Sequence, residues 1–442
     1  MASTYLTRTP SSASNRRTFT ISTWVKKCNT SGNKIIFSQG VDNGEFFSVR
    51  LDARGYLNVF HLTNGGYTYE SILSTSMMLR DNNGWYHITV AVDTTQATAS
   101  DRTKIYINGN LITDFVSGEN SYPSQNFDSY VNTTNVATIG AKPANGDNLD
   151  GHLSHFHFID GTAYAASDFG ETDSTTGEWK INTSPSVTYG TNGFFILKDG
   201  NSVTDQSGNS NNFTVGGGTL TKTEDNPSNV FATGNPLYYF NGGHTFSNGN
   251  NTMYISGGWR SIISTLGTGT GKYYAEAKFV SVHSGSNNAV AGITELNGTV
   301  DEDVAQGLHG NYSTGSTYAY HNDGQLYYNS TNAGAWGSTW TAGDIIGIAV
   351  DTENNKLYFH KNGTYQASGN PTAGTGGYSI DANKIYGIGC SGYYNTMSMN
   401  YGNGYFGTTA VASAGTNASG NGIFEYDVPT GYTALSTKGL NL

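Results

Sequence analysis

At 442 residues the chain has room for two or three domains. Its net charge of −11, with no Lys/Arg run longer than two residues, argues against a phosphate-tracking nucleic-acid face and against an anionic membrane surface. Hydrophobic residues make up 36% and charged residues only 12%, the balance being filled by 58 Gly, 30 Tyr and 20 Phe among many Asn, Ser and Thr. That mixture lacks the charged, aromatic-poor signature of disorder and suits short strands joined by Gly/Asn turns.

Taken in chain order, Met1 to Pro10 has no apolar signal-peptide core, so delivery outside a cell is expected to run through lysis or assembly. No later stretch approaches the roughly 20 apolar residues that cross a bilayer, which excludes membrane insertion by a helix. Phe19 to Val25 alternates, with Phe19, Ile21 and Thr23 on one strand face. Cys28 and Cys390, the only cysteines, fall in different domains and are expected to be buried free thiols. Trp85 to Val92 reads as a strand ending at Asp93. Lys104 to Ile107 then leads into Asn108-Gly109, the strongest short hairpin signal, because a type I′ turn needs positive φ at both central residues.

Gly216 to Asn235 has the composition of a linker. Beyond it the pattern recurs: Ile345 to Val350 ends at Asp351, and Lys356 to Phe359 leads into Asn362-Gly363. Strand, Asp-Thr turn, strand and Asn-Gly turn thus occur twice, about 250 residues apart, too far for a solenoid. The expectation is an all-β protein of two consecutive antiparallel β-sandwiches, residues 1–222 and 223–442.

Candidate chemistry is sparse. Glycoside hydrolysis needs two carboxyls about 5 to 9 Å apart, for which Glu171/Asp173 and Asp301-Glu302-Asp303 come nearest. Both read as solvated loop acids, so no enzyme is expected. His87, His152, His155 and His157 read as polar sheet-face residues. No cofactor is required, but Asp199, Asp205, Asn209 and Asn211 place carboxylate and amide oxygens at a spacing that calcium accepts, with ordinary Asx turns as the alternative. Tyr67 and Tyr69 in the first domain, with Trp336 and Trp340 in the second, are candidate ligand contacts beside Gly-rich turns; core or subunit interface is the competing assignment.

Several of these segments also resemble known families. Phe19–Lys26 (FTISTWVK), Gly84–Asp93 (GWYHITVAVD), Lys104–Asn110 (KIYINGN) and Leu149–Gly161 (LDGHLSHFHFIDG) resemble laminin G-like, concanavalin A-like sandwiches over residues 4 to 220. Gly271–Phe279 (GKYYAEAKF), Ala319–Tyr327 (AYHNDGQLY), Gly343–Asp351 (GDIIGIAVD) and Lys356–Gly363 (KLYFHKNG) resemble a SPRY domain over residues 226 to 435. In the second, Tyr318, Tyr320 and Tyr327 belong to the scaffold pattern. Against the usual laminin G order, the lead-in strand lies late, in Gly193–Thr219, which implies a permuted sandwich whose closing strand returns beside the N-terminal strands.

The tandem, together with phrases such as YLTRTPSSASNRRTFTIS (5–22), VAVDTTQATASDR (90–102) and PTGYTALSTKGL (429–440), resembles structural proteins of tailed phages of aquatic bacteria. The resemblance implies a non-enzymatic, homo-oligomeric protein at the virion surface, a tail fibre, knob or head fibre. Its partners would be other virion proteins and a host surface glycan or receptor. The alternatives are a capsid or vertex decoration protein that binds only other virion proteins and, as a minor case, a sandwich-fold polysaccharide hydrolase.

Overall fold

The computed structural model describes residues 4–28, 32–66, 68–198, 200, 202–238, 243–283, 288–296, 308, 316–329 and 331–441. The chain divides into two compact units, Met1–Lys222 and Thr223–Leu442. Both are all-β, and the described helical segments are single 3₁₀ turns, none long enough to cross a membrane.

The first unit pairs an eight-stranded with a six-stranded antiparallel sheet among the described residues. The smaller sheet runs Phe194–Ile196, Gly151–Asp160, Thr18–Lys27, Tyr86–Asp93, Thr103–Ile107 and Asn110–Leu111. Its inward rows (Phe19, Ile21 and Val25; Ile88, Val90 and Val92; Phe156 and Phe158) meet Phe37, Phe47, Val49 and Val59 of the larger sheet. Each such side chain contributes roughly 1.5–3 kcal/mol by leaving water. Residues 193–219 supply one strand to each sheet: Phe194–Ile196 pairs with Gly151–Asp160, and Thr214–Gly217 runs antiparallel to Tyr5–Arg8. Phe194 and Phe213, both buried, meet edge-to-face at 4.6 Å and seal that end of the core.

The second unit pairs a nine-stranded with a six-stranded sheet among the described residues. Lys272–Val282 lies centrally in the larger one, between Asn395–Asn400 and Ile345–Asp351. The smaller runs from Trp259–Ile263 through Tyr386–Tyr393, Ala289–Glu295, Thr317–His321 and Gln325–Tyr328 to Thr331–Ala335. Tyr318 and Tyr320 are core residues and Tyr327 is half-buried.

The linker expected at 216–235 is shorter than its composition suggests. Gly216 and Gly217 belong to the closing strand of the first unit. Phe231 and Ala232 are buried in the second, with the Asp225 carboxylate accepting the Phe231 N–H at 3.2 Å. The glycines and Pro227 have linker composition, while Phe231, an apolar residue able to pack on either neighbour, anchors the stretch in the second unit. Cys28 and Cys390 are both buried, and no disulfide joins them.

The two Asn-Gly hairpins are built alike. Asn108 and Gly109 have φ of 48° and 79°, Asn362 and Gly363 47° and 84°, as type I′ turns demand. Asn108 Oδ1 accepts the His87 N–H and Asn362 Oδ1 the Ile345 N–H, each at 2.8 Å. The same asparagines donate their own N–H back to the His87 and Ile345 carbonyls at 2.9 Å. A side chain that closes the hairpin mouth is one reason asparagine, and not merely any residue tolerant of positive φ, occupies the turn.

Candidate functional site

Both units carry a second, polar-aromatic layer outside the sandwich. Thr18–Lys27 is buried at every position after its first, on both faces rather than one. The cover over its outer face includes a hairpin, Gly170–Thr172 with Trp179–Ile181. The hairpin lays Trp179 on His87, whose ring stacks between Trp24 and Trp179 with centroids at 5.0 and 5.8 Å. Trp179 Nε1–H donates to His87 Nδ1 at 3.0 Å, and an indole only donates. The imidazole proton is therefore on Nε2, directed at Ser22 Oγ 2.8 Å away. Burial lowers the His87 pKa to about 3, so the ring stays neutral. Gly109 passes beneath Trp179, where a Cβ would collide with the indole. His157 is likewise buried, stacked on Phe195 at 3.9 Å and bonded to the Tyr189 hydroxyl at 2.9 Å. The same hairpin accounts for the acidic pair. Asp173 accepts the Thr175 and Thr176 N–H groups and pairs with Lys180 at 3.0 Å, while Glu171 lies 3.7 Å from the same ammonium. These carboxylates close a turn.

In the second unit the cover is the C-terminal segment, packed on Tyr274, Ala349 and Tyr358 through Phe424, Val428 and Tyr432. At its centre is Glu276, fully buried. Its oxygens accept Tyr274 Oη–H at 3.1 Å, Asn400 Nδ2 at 3.1 Å, and the Glu425 and Tyr426 N–H groups at 2.9 and 2.8 Å. Behind Tyr274, His360 Nε2 lies 2.6 Å from the phenol while its Nδ1 accepts the Gly363 N–H at 3.1 Å. With the carboxylate ionised, a hydrogen-bonded chain results: imidazole Nε2–H to phenol, phenol to carboxylate. Burial outweighs these donors and raises Glu276 to about 7, while it lowers His360 to about 3. Gly347 is required here, since a Cβ would strike the His360 ring. Sequence reading missed Glu276 because a single Glu in an apolar strand carries no motif.

The sequence-predicted contacts are not brought together. Tyr69 is 43% exposed, edge-on to Phe60 at 5.5 Å. Trp336 is half-buried against the core and Tyr378. Trp340 is a correction: only 3% exposed, it donates Nε1–H to the His321 carbonyl at 3.0 Å and is part of the core. Its Gly/Ser/Thr neighbours are surface-like, but the indole turns inward. Tyr67 lies outside the described residues, as do Asp199 and the Asp301-Glu302-Asp303 cluster.

Among the described candidates for calcium, the Asp205 carboxylate accepts Phe195 N–H, Ser207 N–H and Oγ–H, and Asn211 N–H, all at 2.8–2.9 Å. Asn209 and Asn211 donate their amides to carbonyls of residues 190–193. Arg8 donates to Asn211 Oδ1 in the field of Asp205, so the positive charge beside this loop is a guanidinium. No group of three metal-ligating side chains occurs among the described residues.

One accessible site went unread in the sequence. At one end of the second sandwich, where Lys272, Asp351 and Lys356 lie side by side, loops 268–270, 352–355 and 381–386 surround a cleft of about 300 Å³. Thr268 ties the first loop to Tyr386, where an inner strand of the other sheet begins, by paired bonds of 2.8 and 3.0 Å. The cleft thus bridges both sheets. Three loops distant in sequence form it, a juxtaposition invisible without the fold.

Residues 2–168 match the concanavalin A-like lectin/glucanases superfamily and residues 292–403 the SPRY domain. Over 56 residues, 13% of the chain, it is 36% identical to the dual specificity protein kinase splA of Dictyostelium discoideum, and spans 2% of that protein's length. Solved structures similar to parts of the chain include the SPRY domain of human HERC1 (19% identity, 35% of this chain and 91% of that one, TM-score 0.28). They also include a heptameric SAP-like pentraxin from Limulus polyphemus (17%, 37% and 71%, 0.25) and the CBM40 of Ruminococcus gnavus IT-sialidase (13%, 35% and 80%, 0.25).

Proposed function

We propose that this chain, which carries a laminin G-like, concanavalin A-like domain followed by a SPRY domain, is a non-enzymatic structural protein exposed on a phage particle that adheres to a host surface glycan or protein. The observation that carries the reading is where the polar groups go. The perturbed imidazoles and the raised carboxylate are sealed beneath covering segments, while an open cleft of the second unit is lined by amides and hydroxyls together with Asp381 and Lys384. Buried groups of that kind hold a fold together, whereas exposed donors and acceptors at a loop cleft are available to a ligand. The phage setting is supported by the sequence phrases quoted above.

Weak single sites suffice for such a role, because symmetric display raises avidity by about 10²- to 10⁴-fold without new contacts. Saturable binding of the purified protein to host cells or to a glycan array is the expected result. A folded protein that binds neither, yet assembles into particles, would instead support the decoration role. Release of reducing sugar from host polysaccharide, lost on replacing an Asp or Glu, would support the hydrolase.

A further inference from the structure

We infer that the cleft between loops 268–270, 352–355 and 381–386 of the second unit is a binding site for a neutral sugar residue; the inference rests on the adhesion reading and gives it a ligand class. Most polar groups around the cleft are spent on the fold: Thr352 Oγ1 on Gly269 and Gly271, Lys384 Nζ on Glu295 Oε1 at 2.8 Å, and Asp381 Oδ2 on the Ser316 hydroxyl. The side chains of Thr270, Asn355 and Asn383 make no hydrogen bond to a described residue, whereas the Asp381 carboxylate takes the Ser316 hydroxyl and lies beside the Tyr318 phenol. Two amides and a hydroxyl therefore remain on the lining of one cleft, with the Asp381 carboxylate beside them.

That set matches vicinal hydroxyls. An amide offers a donor and an acceptor on one plane, and a carboxylate accepts, so adjacent C–OH groups can each donate to one and accept from another. Ile385, 56% exposed on the lip, supplies an apolar wall for the C–H face of a ring. Size favours a single residue or a short terminal unit, since about 300 Å³ is the lower limit for small-molecule pockets. Charge selects further. With Lys384 neutralised by Glu295, the carboxylate of Asp381 leaves the cleft negative, which disfavours uronic and other acidic sugars.

The test uses the full chain, with methyl glycosides of neutral hexoses and of glucuronic acid as probes in saturation-transfer NMR, alongside host-cell binding. Asn355 and Asn383 have φ of 55° and 59°, so replacement by glycine removes the amides without straining the backbone. The expected result is binding of a neutral glycoside and none of the glucuronide, with affinity lowered at least about tenfold in N355G/N383G and in D381N. Thermal transitions should match wild type, which shows that the variants fold. Neutral-sugar binding that survives in these variants, or a preference for the acidic probe, overturns the inference and leaves adhesion standing. Host-cell binding abolished by protease treatment of the cells, with no glycoside bound, also overturns it alone. If neither cells nor glycosides are bound, the adhesion reading falls with it.

Discussion

The two units build the same hairpin and then protect it differently. In each, an Asn-Gly turn follows a buried strand, and an aromatic ring from a later segment lies over the glycine: Trp179 over Gly109, Tyr426 over Gly363. In each, a neutral histidine sits under the cover. His87 ends its hydrogen bonds on Ser22 and Trp179, a closed and uncharged set. His360 instead continues through Tyr274 to Glu276, whose carboxylate holds the backbone of the covering segment at residues 425 and 426. One cover is seated by stacking, the other is latched by a buried acid, and the two should respond differently to truncation, to pH and to substitution.

The largest effect should come from truncation. Ending the chain at Thr183 removes Phe194, Phe195, Ile196 and Phe213, all buried, and one strand from each sheet of the first unit. At roughly 2 kcal/mol each, their loss approaches the whole stability of a domain, about 5–15 kcal/mol. The 1–183 fragment should be insoluble; a soluble monomer with a cooperative melt would show that the return of 193–219 is dispensable.

Acidification should separate the units next. His61, His87 and His157 of the first are held neutral by burial, with pKa values lowered to about 3 for His61 and His87. A lowered imidazole means the unfolded chain takes up the proton, so stability is lost as pH falls below about 6.5. Each imidazole kept neutral across pH 7 to 5 costs about 2 kcal/mol. In the second unit His360 acts in that direction, with His321 adding to it. Glu276 opposes them. Its folded value, raised to about 7, means that its contribution is present below about 4.5 and is lost as pH rises through about 7. Asp150, raised by burial, opposes the imidazoles of the first unit, but from a lower starting carboxyl value. Calorimetry between pH 7 and 5 should show the first unit's transition falling further. Parallel shifts would remove the distinction.

Glu276→Ala should cost about 3 kcal/mol, because four donors lose their acceptor inside the protein. Glu276→Gln should abolish this residue's share of the pH dependence, so the second unit becomes more acid-sensitive than wild type. Smallest is the turn comparison. Gly109→Ala should cost about 2 kcal/mol, since the positive φ is strained and the indole must also move. Gly363→Ala meets Tyr426 less closely, at 2.9 Å, and should cost about 1 kcal/mol. Equal losses would mean that backbone strain alone sets the cost.

How much of this was readable depends on range. The strands and Asn-Gly turns were legible because alternation and positive φ are local requirements, met by Asn108-Gly109 and Asn362-Gly363 in both units. Burial of the second sheet face was not. Alternation set Phe19, Ile21 and Thr23 on one face but carried no sign of a cover for the other, where Thr20, Ser22 and Trp24 are buried too. Trp340 was misplaced for the converse reason, its neighbours being polar while its own contacts run to the core. The cleft was illegible altogether, since its lining comes from three turns, each of them ordinary when read alone.

The central claim, a protein displayed on a phage particle for adhesion, is tested most directly by finding where it resides. Antibodies raised against the purified chain should label the exterior of intact virions, at a site that reaches host cells, and should block adsorption. Virions that lack the chain, while it accumulates free in the infected host, would contradict the account.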